Sequence, residues 1–208
     1  MKNALITSWK AQGYTFDRQL IDAFTAVSRE DFVHASQKDE AYIDYPMPIS
    51  HGQTISQPLT VMLMTQALEL KSGEKVLEVG AGSGYQAAII SKLVEPGKVV
   101  STEIISGLAA QAQANLAKSK IRNVDVLNYD GSQGYPPEAP YDKIIVTAAC
   151  PSIPLPLIEQ LREGGILVAP VGPLSGQQMI KAKKLQGKLI KQSLGMFVFV
   201  PLKGRHGF

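Results

Sequence analysis

The chain has a single cysteine, Cys150, so no disulfide can close within it. Histidine is nearly as scarce. His34, His51 and His206 stand far apart in sequence and give no metal-ligand spacing, so metal chemistry is not expected. No run of about 18 uninterrupted apolar residues occurs. The apolar stretch within Met1–Thr7 is too short for the core of a signal peptide. These absences predict no membrane partner and a soluble, cytoplasmic protein. Acidic residues are missing altogether beyond Glu163, where Lys181, Lys183, Lys184, Lys188, Lys191, Lys203 and Arg205 fall. Such a basic tail could draw an anionic partner, either nucleic acid or a carboxylate-bearing peptide. The run Met179–Leu185, with Lys188–Ile190 beyond Gly187, reads instead as a hairpin whose lysines guard a sheet edge. No aromatic residue interleaves with those lysines, so a stacking platform for single strands has no support, and nucleic acid is not an expected partner.

What is present points to one core. With 45% hydrophobic residues over 208 positions, the chain is most simply a single domain. Its organising stretch is Val76-Leu-Glu-Val-Gly80-Ala-Gly82-Ser-Gly84-Tyr-Gln86, which reads as strand, tight loop and helix. Glycines at 80, 82 and 84 let the backbone turn sharply and approach a ligand closely. Their spacing is G-x-G-x-G, one residue short of the dinucleotide fingerprint that accommodates a pyrophosphate. With Glu78 just before it, this loop suits a ligand that brings a cation and a nucleoside, as S-adenosylmethionine does. The next strand, Lys98–Glu103, delivers Glu103 at its end, near the ~20-residue offset at which a carboxylate meets ribose hydroxyls.

Residues 1–33 read as helical, with Leu20, Ile21, Phe24 and Val27 at helix spacing. From His34 to Pro58 periodicity gives way to a long loop, and loops of that length in a compact domain are usually functional. Tyr42, Ile43 and Ile55 argue that this one is packed. Pro58 fits the first turn of a helix running through Val61, Leu63, Met64, Ala67 and Leu68 to a stop at Gly73. Thr54, Ile55 and Ser56 therefore precede a helix N-terminus, where backbone N–H groups favour an anion. Ser56 fits either such a site or a plain helix cap. Strands over 75–79, 98–103, 123–128 and 141–150 then alternate with helices over 83–94 and 106–118. A helix over 154–162 and a strand over 165–169 follow, and Phe197–Leu202 closes the sheet with the basic hairpin. This alternation predicts an α/β, doubly wound, Rossmann-like and mostly parallel sheet with helices on both faces. Residues 1–58 form a helical extension and active-site loop, and 59–208 the core. Asp130-Gly131 at the end of the third strand fits either a turn or a contact with an adenine. Cys150, with no histidine near it in sequence, reads as a small loop-side residue.

These residues together resemble the protein-L-isoaspartate O-methyltransferases, class I S-adenosylmethionine enzymes, over nearly the whole chain. The most specific segment is Gly52-Gln-Thr-Ile-Ser56-Gln-Pro58. It is supported by Val76–Gln86, by Ala139-Pro-Tyr-Asp142 leading into Ile145–Ala149, and by Gln160–Gly165. The resemblance implies methyl esterification of the free α-carboxylate of isoaspartyl residues in damaged peptides and proteins, by a monomer. It also implies that Ser56 is the active-site serine and that Thr54 and Ile55 line the cleft beside it. Gly80, Gly82, Ser83 and Gly84 would hold the methionine end of the cofactor, Glu103 the ribose, and Asp130 with Gly131 the adenine. Two positions depart from the family pattern. Ala81 stands where Thr or Ser is frequent, and Ile104-Ile-Ser-Gly107 lacks the basic residue that relatives often place in that turn.

Overall fold

A computed structural model describes residues 1–208. Helices α1 (Lys2–Ala11) and α2 (Arg18–Ala26) bury Leu5 and Trp9, and Leu20, Ala23 and Phe24, respectively. The Trp9 ring meets Phe16 and Phe24 at centroid distances of 5.7 and 5.4 Å. The long segment between α2 and Pro58 is ordered by short 3-10 helices and by a small antiparallel ribbon of β1 (Met47–Pro48) and β2 (Thr54–Ile55). Helix α3 (Pro58–Ala67) starts on the proline and is buried on most sides, as its nearly continuous apolar sequence requires.

The main sheet is built from β3 (Lys75–Val79), β4 (Lys98–Glu103), β5 (Val124–Asn128), β6 (Tyr141–Val146), β7 (Leu161–Val171), β8 (Gln177–Leu185) and β9 (Lys188–Phe197). Helices α4 (Tyr85–Val94), α5 (Ser106–Lys118) and α6 (Leu155–Gln160) connect them. Strand order is β5-β4-β3-β6-β7-β8-β9. The first five of these are parallel, and β8 and β9 run antiparallel at one side. Val76, Leu77 and Val79 of β3 and Ile144, Ile145 and Val146 of β6 are all buried. Such continuous apolar runs are what a parallel strand covered on both faces needs. The order reverses between β3 and β6, so a crevice opens beyond their carboxyl ends. No helix is long and apolar enough to cross a membrane.

Several boundaries differ from the sequence-based expectation, each for a local reason. Helix α4 begins at Tyr85, not residue 83, because Gly84 takes φ +87, outside helical space. Helix α6 stops at Gln160 and β7 begins at once, with a register shift against β6 spanning Gly164, itself at φ +78. The strand expected over 141–150 ends at Val146; Thr147 and Ala148 leave the ladder to line the crevice, while Ala149 and Cys150 are buried and make single bridges to Pro201 and Val171. Of the segment expected over 197–202 only Phe197 belongs to a strand, as the end of β9. The rest makes one bridge, Pro201 to Ala149, flanked by Ala149 N to Val200 O at 2.8 Å and Leu202 N to Ala149 O at 2.7 Å; the proline, with no N–H, does not extend it into a ladder. The sheet edges are therefore β5 and β9.

Candidate active site

The crevice beyond β3, β4 and β6 is a cleft of about 860 Å³. One wall is the glycine loop. Gly80 and Gly82 have φ of +98 and +52, and a Cβ on Gly80 would lie 2.5 Å from Thr147 Oγ1. That hydroxyl donates to Gly80 O at 2.6 Å and to Val79 O at 3.0 Å, fixing the loop on the end of β6. Gly80, Ala81, Gly82 and Ser83 line the cleft. Gly84 does not; it turns the chain into α4, and a Cβ there would touch Ala112 and Leu116 of α5 at 3.4 Å. Ser83 is held from behind by Asn115, whose Nδ2 donates to Ser83 O at 2.9 Å.

Glu103 stands at the end of β4, almost buried and lining the cleft. Gly82 N donates to its Oε2 at 2.9 Å and Ile105 N to its Oε1 at 3.0 Å. A carboxylate has about four acceptor sites. Two are thus used in bracing, and two remain free. Glu78 is different. It is fully buried beneath the loop and does not line the cleft. Ser101 Oγ donates to its Oε2 while Oε1 has no partner. Burial first, and the charge of Glu103 second, push its carboxyl up to about 8 against the opposing hydrogen bond from Ser101.

Gly131 lines the cleft, packed so tightly that a Cβ would collide with Thr102 Oγ1. The neighbouring Asp130 carboxylate does not line it. Its Oδ1 accepts from Ser132 N at 3.0 Å and Ser132 Oγ at 2.7 Å, and its Oδ2 from Gln133 Nε2 at 3.1 Å and Arg205 N at 2.9 Å. Burial opposes ionisation of this carboxyl, but the donors outweigh it and hold it below the usual range. With four donors its acceptor sites are full. Of the two readings the sequence allowed, the side chain performs the turn; only Gly131 reaches the cleft.

The opposite wall carries Gln53, Thr54, Ile55 and Ser56. The 3-10 turn before them places the His51 imidazole against Gly107, where any Cβ would collide with it. Position 107 therefore has room for glycine and for no larger residue while His51 lies there. Ser56 is not the cap of α3. Gln57 occupies the cap position without a side-chain cap bond, and Leu59 N donates instead to Asp44 Oδ1 at 2.9 Å. The Ser56 hydroxyl is left to the cleft.

A second, wider cavity of about 1430 Å³ adjoins the first. The two share Thr54, Ser56, Thr147 and Val200. Its sides are Tyr14, Pro46, Leu59 and Leu63 of the N-terminal extension and α3, facing Met196–Val200. None of its lining side chains is charged.

Sequence reasoning missed several cleft residues. Tyr85, Gln86, Ile104, Ile105, Thr147 and Ala148 all follow the ends of β3, β4 or β6, where the rule that ligands bind beyond parallel strand ends could have found them. Pro201, Leu202 and Lys203 also line the cleft, and nothing in their local pattern signals it.

A glycine-turned loop at the switch point, with a braced carboxylate on the next strand, defines a class I S-adenosylmethionine-dependent methyltransferase. The chain belongs to the family described as protein-L-isoaspartate(D-aspartate) O-methyltransferase (PCMT), whose profile matches residues 1–207. It is 48% identical to the protein-L-isoaspartate O-methyltransferase of Methanoculleus marisnigri over 92% of this chain and 86% of that one. With the enzyme of the same name from Methanopyrus kandleri it shares 45% identity over 100% of this chain and 93% of the relative. A solved protein-L-isoaspartate O-methyltransferase superposes with a TM-score of 0.90 at 31% identity, covering 100% of this chain and 67% of the other. A Plasmodium falciparum structure, described as a beta-aspartate methyltransferase in complex with S-adenosyl-L-homocysteine, gives 0.83 at 28% identity, covering 96% and 97%.

Proposed function

We propose that this protein methylates the free α-carboxylate of L-isoaspartyl residues in damaged peptides and proteins, and that Ser56 orients the acceptor. The observation that carries this reading is the meeting of the two cavities at Thr54, Ser56 and Thr147, three hydroxyl-bearing residues that line both. S-adenosylmethionine, when bound, supplies a methyl group on a sulfonium. The acceptor carboxylate, with a pKa of about 3 to 4, is ionised at neutral pH and requires no general base. The residues at the junction therefore orient. Ser56 Oγ–H donates to one carboxylate oxygen and leaves the other free for attack, while Ile55 and Val200 exclude water. Gly80, Gly82, Ser83, Glu103 and Gly131 hold the cofactor. Thr54 and Ile55 border it, and Gly84 and Glu78 act indirectly, by turning the loop and supporting it from below.

The uncharged groove suits an extended peptide segment of no fixed sequence, so recognition rests on the backbone and the isoaspartyl carboxylate. Repair then completes without the enzyme. The following backbone nitrogen attacks the ester carbonyl, methanol leaves, and water opens the resulting succinimide partly to aspartate. Under the same proposal the chain is a single-domain monomer acting in the cytoplasm on peptides and not on nucleic acid; a basic edge without interleaved aromatic residues supports the last point.

The test is transfer of labelled methyl from S-adenosylmethionine to an isoaspartyl peptide beside the same peptide containing aspartate. Base-labile label on the isoaspartyl peptide alone is the expected result. Equal labelling of both, or of neither, would refute the reading.

A further inference from the structure

The C-terminal tail reaches the cleft and folds back on itself. Leu202 is buried, donates its N–H to Ala149 O at 2.7 Å, and lines the cleft with Lys203. The chain end returns to it, with Phe208 N donating to Leu202 O at 2.9 Å. Between these points the tail crosses the turn 131–133, and there Asp130 and Ser132 grip it. Asp130 Oδ2 takes Arg205 N at 2.9 Å and Ser132 Oγ takes His206 N at 3.1 Å. Gly204 sits at φ +122 directly against the Asp130 carboxylate, where a Cβ would collide with Oδ1. Lys203, Arg205 and Phe208 are exposed, so little apolar burial anchors the tail beyond Leu202.

We infer that Asp130 is a positioning residue for the cofactor: it clamps the Gly131 turn to the C-terminal tail, so that Gly131, Leu202 and Lys203 together close one end of the cleft. This rests on the methyltransferase reading above. The Asp130 carboxylate has no acceptor site left for an adenine, yet the wall residues on both sides of it depend on it for their placement. A chain terminus released from its hydrogen bonds frays. Cofactor affinity then falls by the fraction of molecules in which the wall is in place.

Calorimetric titration of the full chain with S-adenosyl-L-homocysteine tests this in four forms: unaltered, Asp130→Ala, Gly204→Ala and the double variant. Gly204→Ala pushes a methyl group into the carboxylate's space and so drives off the tail without altering Asp130. Each single change should weaken binding about tenfold, a difference well within reach of the method. The double variant should fall no more than about twofold below either, because both changes break one latch. In turnover, KM for S-adenosylmethionine should rise while kcat at saturating cofactor and KM for the peptide hold, a split that general misfolding would not produce. The inference is overturned if Gly204→Ala leaves affinity unchanged, or if the two losses multiply. Should Asp130→Ala not fold, Gly204→Ala decides alone. Failure of the unaltered chain to bind S-adenosyl-L-homocysteine would strike the methyltransferase reading itself, and not the latch.

Discussion

The indole of Trp9 donates to Asp44 Oδ2 at 2.7 Å. The other oxygen of the same carboxylate caps α3 through Leu59 N, so a residue of the first helix is joined through one side chain to the helix that follows Ser56. Asp44→Ala removes both bonds and should cost about 1–3 kcal/mol. At roughly 2–4 °C per kcal/mol for a chain of this size, the thermal midpoint should fall by several degrees. The methylation rate should fall with it, because the Ser56 loop loses its anchor. A midpoint within a degree of the unaltered protein would show that the cap carries no weight.

Ser56→Ala should lower kcat by about tenfold to a hundredfold, the scale on which a lost orienting contact acts. Affinity for S-adenosyl-L-homocysteine should stay within about twofold, since one hydroxyl at the cleft margin contributes little there. Single-turnover kinetics beside calorimetry separate the two quantities. A large loss of cofactor affinity with unchanged kcat would contradict the orienting role.

Glu103→Ala leaves Gly82 N and Ile105 N without their acceptor and removes the two free carboxylate sites. Cofactor affinity should drop by at least about tenfold, as expected for charge-assisted bonds of roughly 1.5–3 kcal/mol. Gly80→Ala should be as damaging by a different route, combining a left-handed φ with a clash at Thr147. Equilibrium binding measures both. Normal binding by either variant would mean the loop geometry is not what holds the ligand.

Glu78 makes stability depend on pH. Its carboxyl rises from an ordinary 4.5 to about 8 on folding. Between those values the folded chain keeps a proton that the unfolded chain has released, so raising pH favours unfolding. The stabilising contribution is full below about 4.5 and is lost as pH climbs to about 8, on the order of a few kcal/mol across the window. Glu78→Gln, which is neutral throughout, should flatten this slope. Denaturant midpoints taken between pH 5 and 9 decide it, and parallel slopes for the two proteins would remove Glu78 as the cause.

The parallel half of the sheet was legible because its strands are long apolar runs and its punctuation is glycine. Strand β3, the loop at Gly80 and Gly82, and Glu103 at the end of β4 all follow from local chemistry. The β1–β2 ribbon was not legible, since two strands of two residues have no period to read. Ser56 was ambiguous for a related reason. A serine before a helix fits a cap, and only the distant Asp44, fixed by tertiary packing, takes that duty from it. The Asp130 carboxylate misled because Asp-Gly at a strand end has the right address but not a fixed direction. Ser132 and Gln133 close by turn its oxygens back, and the fourth donor is Arg205, whose N–H arrives from 75 residues later in the chain. Contacts of that separation leave no trace in a local pattern.

The cofactor cleft and the open groove have only Thr54, Ser56, Thr147 and Val200 in common. Heritable change can therefore act on one compartment at a time. If the groove receives the peptide as proposed, substitutions along Tyr14, Leu63 or Met196 can retune which peptides enter while the methyl-donor machinery is inherited intact. Those at Gly82 or Ile104 affect every client equally. A lineage built this way can broaden or narrow its clientele without relearning its chemistry.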